Sequence, residues 1–87
     1  MPATHQVNVL SSPTQLPFTV LARKSVMVEN QGGFDIFVST NDISGVGNGH
    51  VIAPNTSRTF PGVQLWAACS VAQGGGAGDQ TIVSEFE

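Results

Sequence analysis

The sequence has few of the residues from which disulfides, metal sites and charged binding surfaces are built. Of its 87 residues, one is cysteine, three are Lys or Arg, and none is tyrosine. A single cysteine, Cys69, excludes an intramolecular disulfide and leaves too few thiols for a zinc site built from cysteine pairs. Three basic residues against six acidic ones are too few to follow the phosphates of a nucleic acid. We therefore expect no nucleic-acid partner.

The sequence also lacks a long apolar run and a helical repeat. No stretch approaches the roughly 18 apolar residues that span a bilayer as a helix, so we expect no membrane partner. Residues 1–6 have neither a basic nor an apolar leader pattern, and we expect a product that is not exported by a signal peptide. Ten glycines and five prolines interrupt the chain, and no segment repeats apolar residues every 3.6 positions over three turns. We expect almost no helix.

What the sequence does contain is a series of short two-residue repeats, the pattern of half-buried β-strands. The predicted strands lie in residues 24–29, 34–39, 50–53, 56–60, 63–71 and 80–86. The strand at 63–71 has the longest apolar stretch and is predicted to be central. The turn at residues 30–33 and the glycine loop at 73–79 are interpreted as hairpin connections. The fold class is all-β, a small antiparallel β-sandwich or flattened barrel of six or seven strands.

The first part of the chain differs from the rest in its prolines. Pro2, Pro13 and Pro17 all fall within its first seventeen residues, and proline inside a strand implies an edge position. We interpret residues 1–22 as an extended N-terminal arm with a possible edge strand, and residues 23–87 as the β-sandwich domain.

The residues that could perform chemistry do not form a recognisable catalytic or metal-binding pattern. His5 and His50 lack the spacing of a metal site. Cys69 lies on the apolar face of its strand, without a basic neighbour to activate it. The loop residues considered as calcium ligands do not follow an Asp-x-Asp-x-Asp-Gly spacing; they are Asp35, Asp42 and Asp79, with Asn41, Asn48 and Asn55. The loop at residues 74–78 has no following lysine or helix and so does not indicate a phosphate site. We expect no enzyme, no cofactor, no metal and no small-molecule substrate.

The apolar residues point to contacts with other proteins instead. Val26, Val28, Phe34, Ile36, Val38, Leu65, Ala67 and Cys69 can fill one sandwich interior. Strict alternation then places Met27, Phe37, Trp66 and Val83 on the outward faces, where they would form an interaction patch. The alternative is a second core, because a flattened barrel partly buries both faces and a bulge shifts the register by one. The apolar residues of the arm complete the candidate interface, and they are Val7, Val9, Leu10, Leu16 and Phe18.

Several segments together resemble small all-β proteins of tailed-bacteriophage virions. The resemblance covers residues 23–86. It rests on the order of the strands and on the residue pattern within each strand, and it includes no catalytic signature. The segments are Arg23–Asn30, the glycine turn, Asp35–Val38, Gly49–Asn55, Ser57–Phe60, Leu65–Ala67 and Val83–Glu85. The resemblance implies a capsid decoration, or cement, protein. Such a protein lies in many copies on the outer shell, often as a homotrimer, and bridges neighbouring capsomers.

With this resemblance, the sequence predicts a structural virion protein whose partners are the major capsid protein and copies of itself. It would be made in the host cytoplasm and located on the capsid surface. The alternatives are a component of the head-to-tail connection, the tail or the tail fibre, and a module that binds host-surface glycan through Trp66 or Phe37. An extended N-terminal segment can add to the sheet edge of another chain by main-chain hydrogen bonds.

Overall fold

The computed structural model describes residues 3–40, 49–69 and 79–87. Its regular structure is entirely β, and none of the described residues is helical. The strands in chain order are β1 (Ala3–Val9), β2 (Thr14–Gln15), β3 (Ser25–Asn30), β4 (Ile36–Ser39), β5 (His50–Ile52), β6 (Thr56–Pro61), β7 (Trp66–Cys69) and β8 (Asp79–Phe86).

The strands form two antiparallel sheets of four strands each. The first sheet has the order β1-β8-β3-β6 and the second has the order β2-β7-β4-β5. The predicted all-β, sandwich-like architecture is confirmed. The predicted number of six or seven strands is wrong, because residues 3–22 contribute two strands, one to each sheet, and the described part of the chain contains eight.

The first strand is an integral part of the first sheet. β1 pairs with β8 over seven consecutive residues, from Ala3 opposite Glu85 to Val9 opposite Asp79. The prediction of an extended N-terminal arm is therefore wrong for this stretch. Two of the prolines used to predict the arm, Pro13 and Pro17, lie outside β1 and β2, where they leave the hydrogen-bonded ladder intact, and Pro2 lies outside the described residues.

Two connections that the sequence suggested as hairpins instead carry the chain between the sheets. β3 belongs to the first sheet and β4 to the second, and the same change of sheet separates β7 from β8. The β3–β4 turn is built on buried Asn30, whose side-chain amide donates to the carbonyls of Phe34 (2.7 Å) and Ile52 (2.9 Å). Its side-chain oxygen accepts from the Gly32 amide (2.9 Å). The glycine loop itself lies outside the described residues.

The core lies between the two sheets. Most of the predicted core residues are in it, and the cluster consists of Val9, Leu16, Val26, Val28, Ile36, Val38, Ile52, Phe60, Leu65, Ala67, Cys69 and Val83. Phe34 is an exception, since it precedes β4 and is 43% exposed. Val83 was predicted to face outward but is fully buried, because it pairs with inward-facing Val28. Thr81 and Glu85 share its inward face, and these polar neighbours concealed that face in the sequence.

Candidate interaction surface

The outward face of the second sheet carries two of the predicted interface residues. Phe37 lies between Val51 and Ala68 in the register, and Trp66 lies beside Ser39 and Gln15. Phe37 is only 8% exposed, and Ala68 is fully buried. Trp66 is partly buried and Val51 is exposed. The apolar surface on this face is therefore contributed by Trp66 and Val51, while the chain itself covers Phe37.

The other predicted outward residues do not join them. Met27 lies on the outward face of the first sheet, on the opposite side of the sandwich, in a row with Ser84 and Thr59. Val83 lies in the core. The four residues Met27, Phe37, Trp66 and Val83 therefore do not form one patch.

The predicted interface residues of the first 22 positions are mostly internal. Val9 and Leu16 belong to the core cluster, and Val7 packs against it. Phe18 is half-buried beneath the guanidinium of Arg23, whose central carbon is 3.8 Å from the ring centre. Leu10 is the one of these five that the structure leaves exposed.

A different group of apolar side chains is displayed at one end of the sandwich. Leu21 is 86% exposed, and Val63 and Phe86 are also exposed. Their segments are linked through Lys24, whose amide donates to the Phe86 carbonyl (2.7 Å) and whose carbonyl accepts from the Gly62 amide (3.1 Å). We refer to Leu21, Val63 and Phe86 as the apolar end.

The loop that displays Leu21 is fixed by a buried carboxylate. Glu85 Oε1 accepts from the backbone amides of Thr19 (2.8 Å) and Val20 (3.2 Å). Its Oε2 accepts from the Thr19 hydroxyl (2.6 Å) and lies 2.7 Å from His5 Nε2. The loop then closes in a turn, in which the Arg23 amide donates to the Val20 carbonyl (3.1 Å). Leu21 is therefore exposed on a loop that the interior holds in place.

Arg23 completes this cluster from within the protein. Its Nη1 donates to Glu85 Oε1 (2.7 Å) and to the Pro17 carbonyl (3.0 Å), and its Nη2 donates to the Val63 carbonyl. The side chains of Arg23 and Glu85 are 1% and 0% exposed. Such a buried pair is held together by its own hydrogen bonds, and removal of either charge leaves the other uncompensated. Arg23 and Glu85 thus join the Leu21 loop, the Val63 loop and β8.

The surroundings of Glu85 favour its ionised form. Burial by itself raises the pKa of a carboxyl group, but hydrogen bonds from Thr19, His5 and the Val20 amide outweigh it. Together they lower the pKa of Glu85 from 4.5 to about 2. A carboxylate with so low a pKa is a poor proton acceptor at neutral pH.

The cluster of His5, Thr19 and Glu85 contains the residue types of a hydrolase triad but not its arrangement. In a triad the imidazole uses one nitrogen toward the nucleophile and the other toward the carboxylate. Here His5 Nε2 faces both Glu85 Oε2 (2.7 Å) and Thr19 Oγ1 (3.2 Å). The Thr19 hydroxyl also donates directly to Glu85. The hydrogen bonds instead tie the Thr19 backbone and side chain, together with His5, to Glu85 in β8.

A cavity of about 280 Å³ opens beside the apolar end. Its lining is mostly apolar and includes Phe60, Pro61, Val63 and Leu65, and His50 also lines it. The His50 ring lies 5.9 Å from the Phe60 ring, tilted by 57°. Val63 lines the cavity and also belongs to the apolar end, so the two features share this residue.

The remaining candidates for chemistry lie apart from one another. Cys69 is buried, and its amide donates to the Leu10 carbonyl (2.7 Å). In the parts of the chain that the structure describes, no three His, Cys, Asp or Glu side chains lie together as a metal site would require. Within those same parts there is no helix long and apolar enough to cross a membrane. Asn55 adopts a left-handed φ of 63° at a turn. Residues 41, 42 and 48, which were considered as calcium ligands, lie outside the described ranges.

Sequence reasoning missed the apolar end. Leu21 lies between two segments of extended chain and follows no two-residue repeat, so the periodicity that located the strands carried no information about it. A usable signal was present, because Leu21 is followed by Ala22, Arg23 and Lys24 and stands in a turn-like, partly polar context.

No protein-family model matches this chain, and no curated protein matches it in sequence.

Proposed function

We propose that this protein is a structural component of a tailed-phage virion, a capsid decoration protein that binds the outer surface of the head and bridges neighbouring capsomers. The observation that carries the proposal is the exposure of Leu21 on a loop fixed by the buried Glu85. An exposed apolar side chain on a preorganised loop is suited to docking, because little conformational entropy is lost when it binds.

The energetics favour a protein surface as the partner of the apolar end. Burial of one leucine side chain contributes about 1.5–3 kcal/mol, and Val63 and Phe86 extend the same contact. Charged residues flank the apolar side chains at Lys24 and Glu87, as expected of a polar rim around an apolar centre. On a symmetric shell, many such modest contacts act together. The major capsid protein is the proposed partner.

The resemblance also implies copies of the chain in a trimer, and this state stays a prediction. A position in the tail or in the head-to-tail connection would use the same surface. Copy number per particle separates these positions from the capsid surface, because a shell holds many equivalent sites and a tail holds few.

The test compares two exposed apolar residues at opposite ends of the sandwich. Leu21→Asp places a charge in the apolar end, and Phe34→Asp makes the same kind of change beyond the far end of β3. Each purified variant is added to phage heads that lack the protein, and bound protein is measured across concentrations. We expect Leu21→Asp to weaken binding at least about tenfold, since it removes the leucine contact and buries a charge. Phe34→Asp should bind like the unmodified chain.

Equal binding of the two variants, both with native far-UV circular dichroism, would contradict the role of the apolar end. Failure of the unmodified chain to bind any head would contradict the proposed function itself.

A second candidate function rests on Trp66. This partly exposed ring lies on the outward face of the second sheet, flanked in the register by Ser39 and Gln15. An aromatic platform beside hydroxyl and amide groups is an arrangement that stacks on sugar rings and fixes them by hydrogen bonds. Phe37 is too deeply buried to take that role. Glycan binding that is lost in Trp66→Ala and retained in Leu21→Asp would favour this second function.

A further inference from the structure

The four edge strands of the two sheets differ in how they are protected. An exposed edge presents unpaired main-chain groups, and proteins blunt such edges with proline, charge or short length. β2 has two residues and β5 has three. β6 has six residues, but it carries Arg58 and ends at Pro61. Each of these three edges therefore carries a device that discourages pairing with another strand.

The edge of β1 carries none of these devices. It has seven residues, roughly 24 Å of extended chain, and its register with β8 is unbroken by a bulge. Its single titratable side chain, His5, is directed to Glu85. Among the described residues, the backbone of residues 3–9 makes no hydrogen bond outside its ladder with β8. The main-chain groups on the side of β1 away from β8 are therefore open to a partner strand.

We propose that β1 pairs antiparallel with β1 of a second copy of this chain. The pairing joins two first sheets into one continuous sheet of eight strands across a two-fold axis. It needs neither a capsid nor the apolar end, so it can be tested apart from the capsid role, but it predicts a two-fold dimer in place of the trimer that the resemblance implies.

A second copy is the occupant that the side chains of β1 favour. The outward row of the strand consists of Thr4, Gln6 and Asn8, all exposed and all uncharged. In an antiparallel pair centred on Gln6, this residue faces its own copy and Thr4 faces Asn8. Amide and hydroxyl groups can hydrogen-bond in these positions, and no like charges are brought together. A two-fold contact of this kind is self-complementary.

Charge reversal at the proposed axis tests the pairing. Gln6→Lys and Gln6→Glu each place like charges opposite each other in a self-pair, whereas a 1:1 mixture of the two places opposite charges there. Thr59→Lys is the matched control, because Thr59 is an exposed outward residue on the edge strand β6 of the same sheet. Sedimentation equilibrium over a range of concentrations gives the dimer dissociation constant for each sample. Far-UV circular dichroism establishes that each variant is folded.

We expect the unmodified chain and Thr59→Lys to form the same dimer. Gln6→Lys and Gln6→Glu should each raise the dissociation constant at least about fivefold, and their mixture should restore it to within about twofold. A chain that stays monomeric at millimolar concentration would overturn the proposal. A trimer would overturn it as well, and so would a dimer that is insensitive to both Gln6 variants. If the single variants weaken the dimer and the mixture does not recover, an antiparallel pairing centred near Gln6 is excluded.

Discussion

Replacement of Glu85 by glutamine isolates the contribution of the buried charge that holds the Leu21 loop. The amide of Glu85→Gln has nearly the same size as the carboxylate, and its oxygen can still accept from the Thr19 and Val20 amides. The change therefore removes mainly the negative charge opposite Arg23, which lies 2.7 Å away with 1% of its side chain exposed. Removal of one partner of a buried ion pair costs about 3–5 kcal/mol.

We expect Glu85→Gln to lower the free energy of unfolding by about 3 kcal/mol, the lower end of that range because most of the hydrogen bonds survive. For a domain of this size the corresponding fall in Tm is roughly 12–24 °C. Urea unfolding followed by tryptophan fluorescence and circular dichroism measures the change. Glu29→Gln is the control, because Glu29 is a partly exposed carboxylate on the outward face of β3. It should change stability by less than about 0.5 kcal/mol.

The double variant Glu85→Gln/Arg23→Met sharpens the test. If the charges depend on each other, the loss in the double variant is smaller than the sum of the two single losses by at least about 1 kcal/mol. Equal losses in Glu85→Gln and Glu29→Gln would refute the reasoning, since they would mean that the buried charge is not needed to compensate Arg23.

Two further predictions follow from the same region. Because the pKa of Glu85 falls from 4.5 to about 2 on folding, its contribution is fully present above pH 4.5 and is lost as the pH falls toward 2. Solvent weakens the interaction of Glu85 with His5, because His5 is partly exposed. We therefore expect the unfolding free energy of the unmodified chain to fall by about 2 kcal/mol more than that of Glu85→Gln over this pH interval. Parallel curves of unfolding free energy against pH for the two proteins would contradict this prediction. Gly62→Ala should destabilise by about 1–3 kcal/mol, because a Cβ there overlaps the Arg23 carbonyl. Gly33 has open space around it, so Gly33→Ala should change the free energy of unfolding by less than about 0.5 kcal/mol in the same urea unfolding measurement. Equal losses of stability in the two alanine variants would contradict the close approach at Gly62.

The local character of the strands could be predicted from the sequence because alternation is a local property. The repeat in residues 24–29 corresponds to β3, and the long apolar stretch at 63–71 contains the central strand β7. The pairing of strands could not be predicted in the same way. A turn at residues 30–33 is compatible with a hairpin or with a crossover between sheets, and the choice is made by distant partners such as the Ile52 carbonyl that binds Asn30.

Alternation also separates two faces of a strand without saying which one is internal. In β8 the apolar content does not decide, because the buried face carries Thr81 and Glu85 beside Val83. Glu85 lies inside because Arg23, 62 positions earlier in the chain, is buried against it and because Thr19 and His5 hydrogen-bond to it. No local pattern contains that pairing. The same limit explains why the apolar end was missed, since its three side chains come from three separate segments.

The N-terminal segment shows how a correct local observation led to a wrong interpretation. Pro13 and Pro17 lie on either side of β2 and do not interrupt it or β1. Val9 and Leu16 belong to the core, and His5 hydrogen-bonds to Glu85. Residues 3–22, which were interpreted as part of an extended arm, therefore belong to the folded unit, and the contact with another chain that we propose for them is made by the edge of β1.

The most direct test of the proposed function is the number of copies of this protein in a purified phage particle, measured by quantitative mass spectrometry against the major capsid protein. A capsid decoration protein should be present in a fixed ratio to the shell subunit and in the hundreds per particle, on the order expected for a molecule that occupies equivalent sites over a symmetric shell. A handful of copies per particle, or none, would contradict a place on the capsid surface.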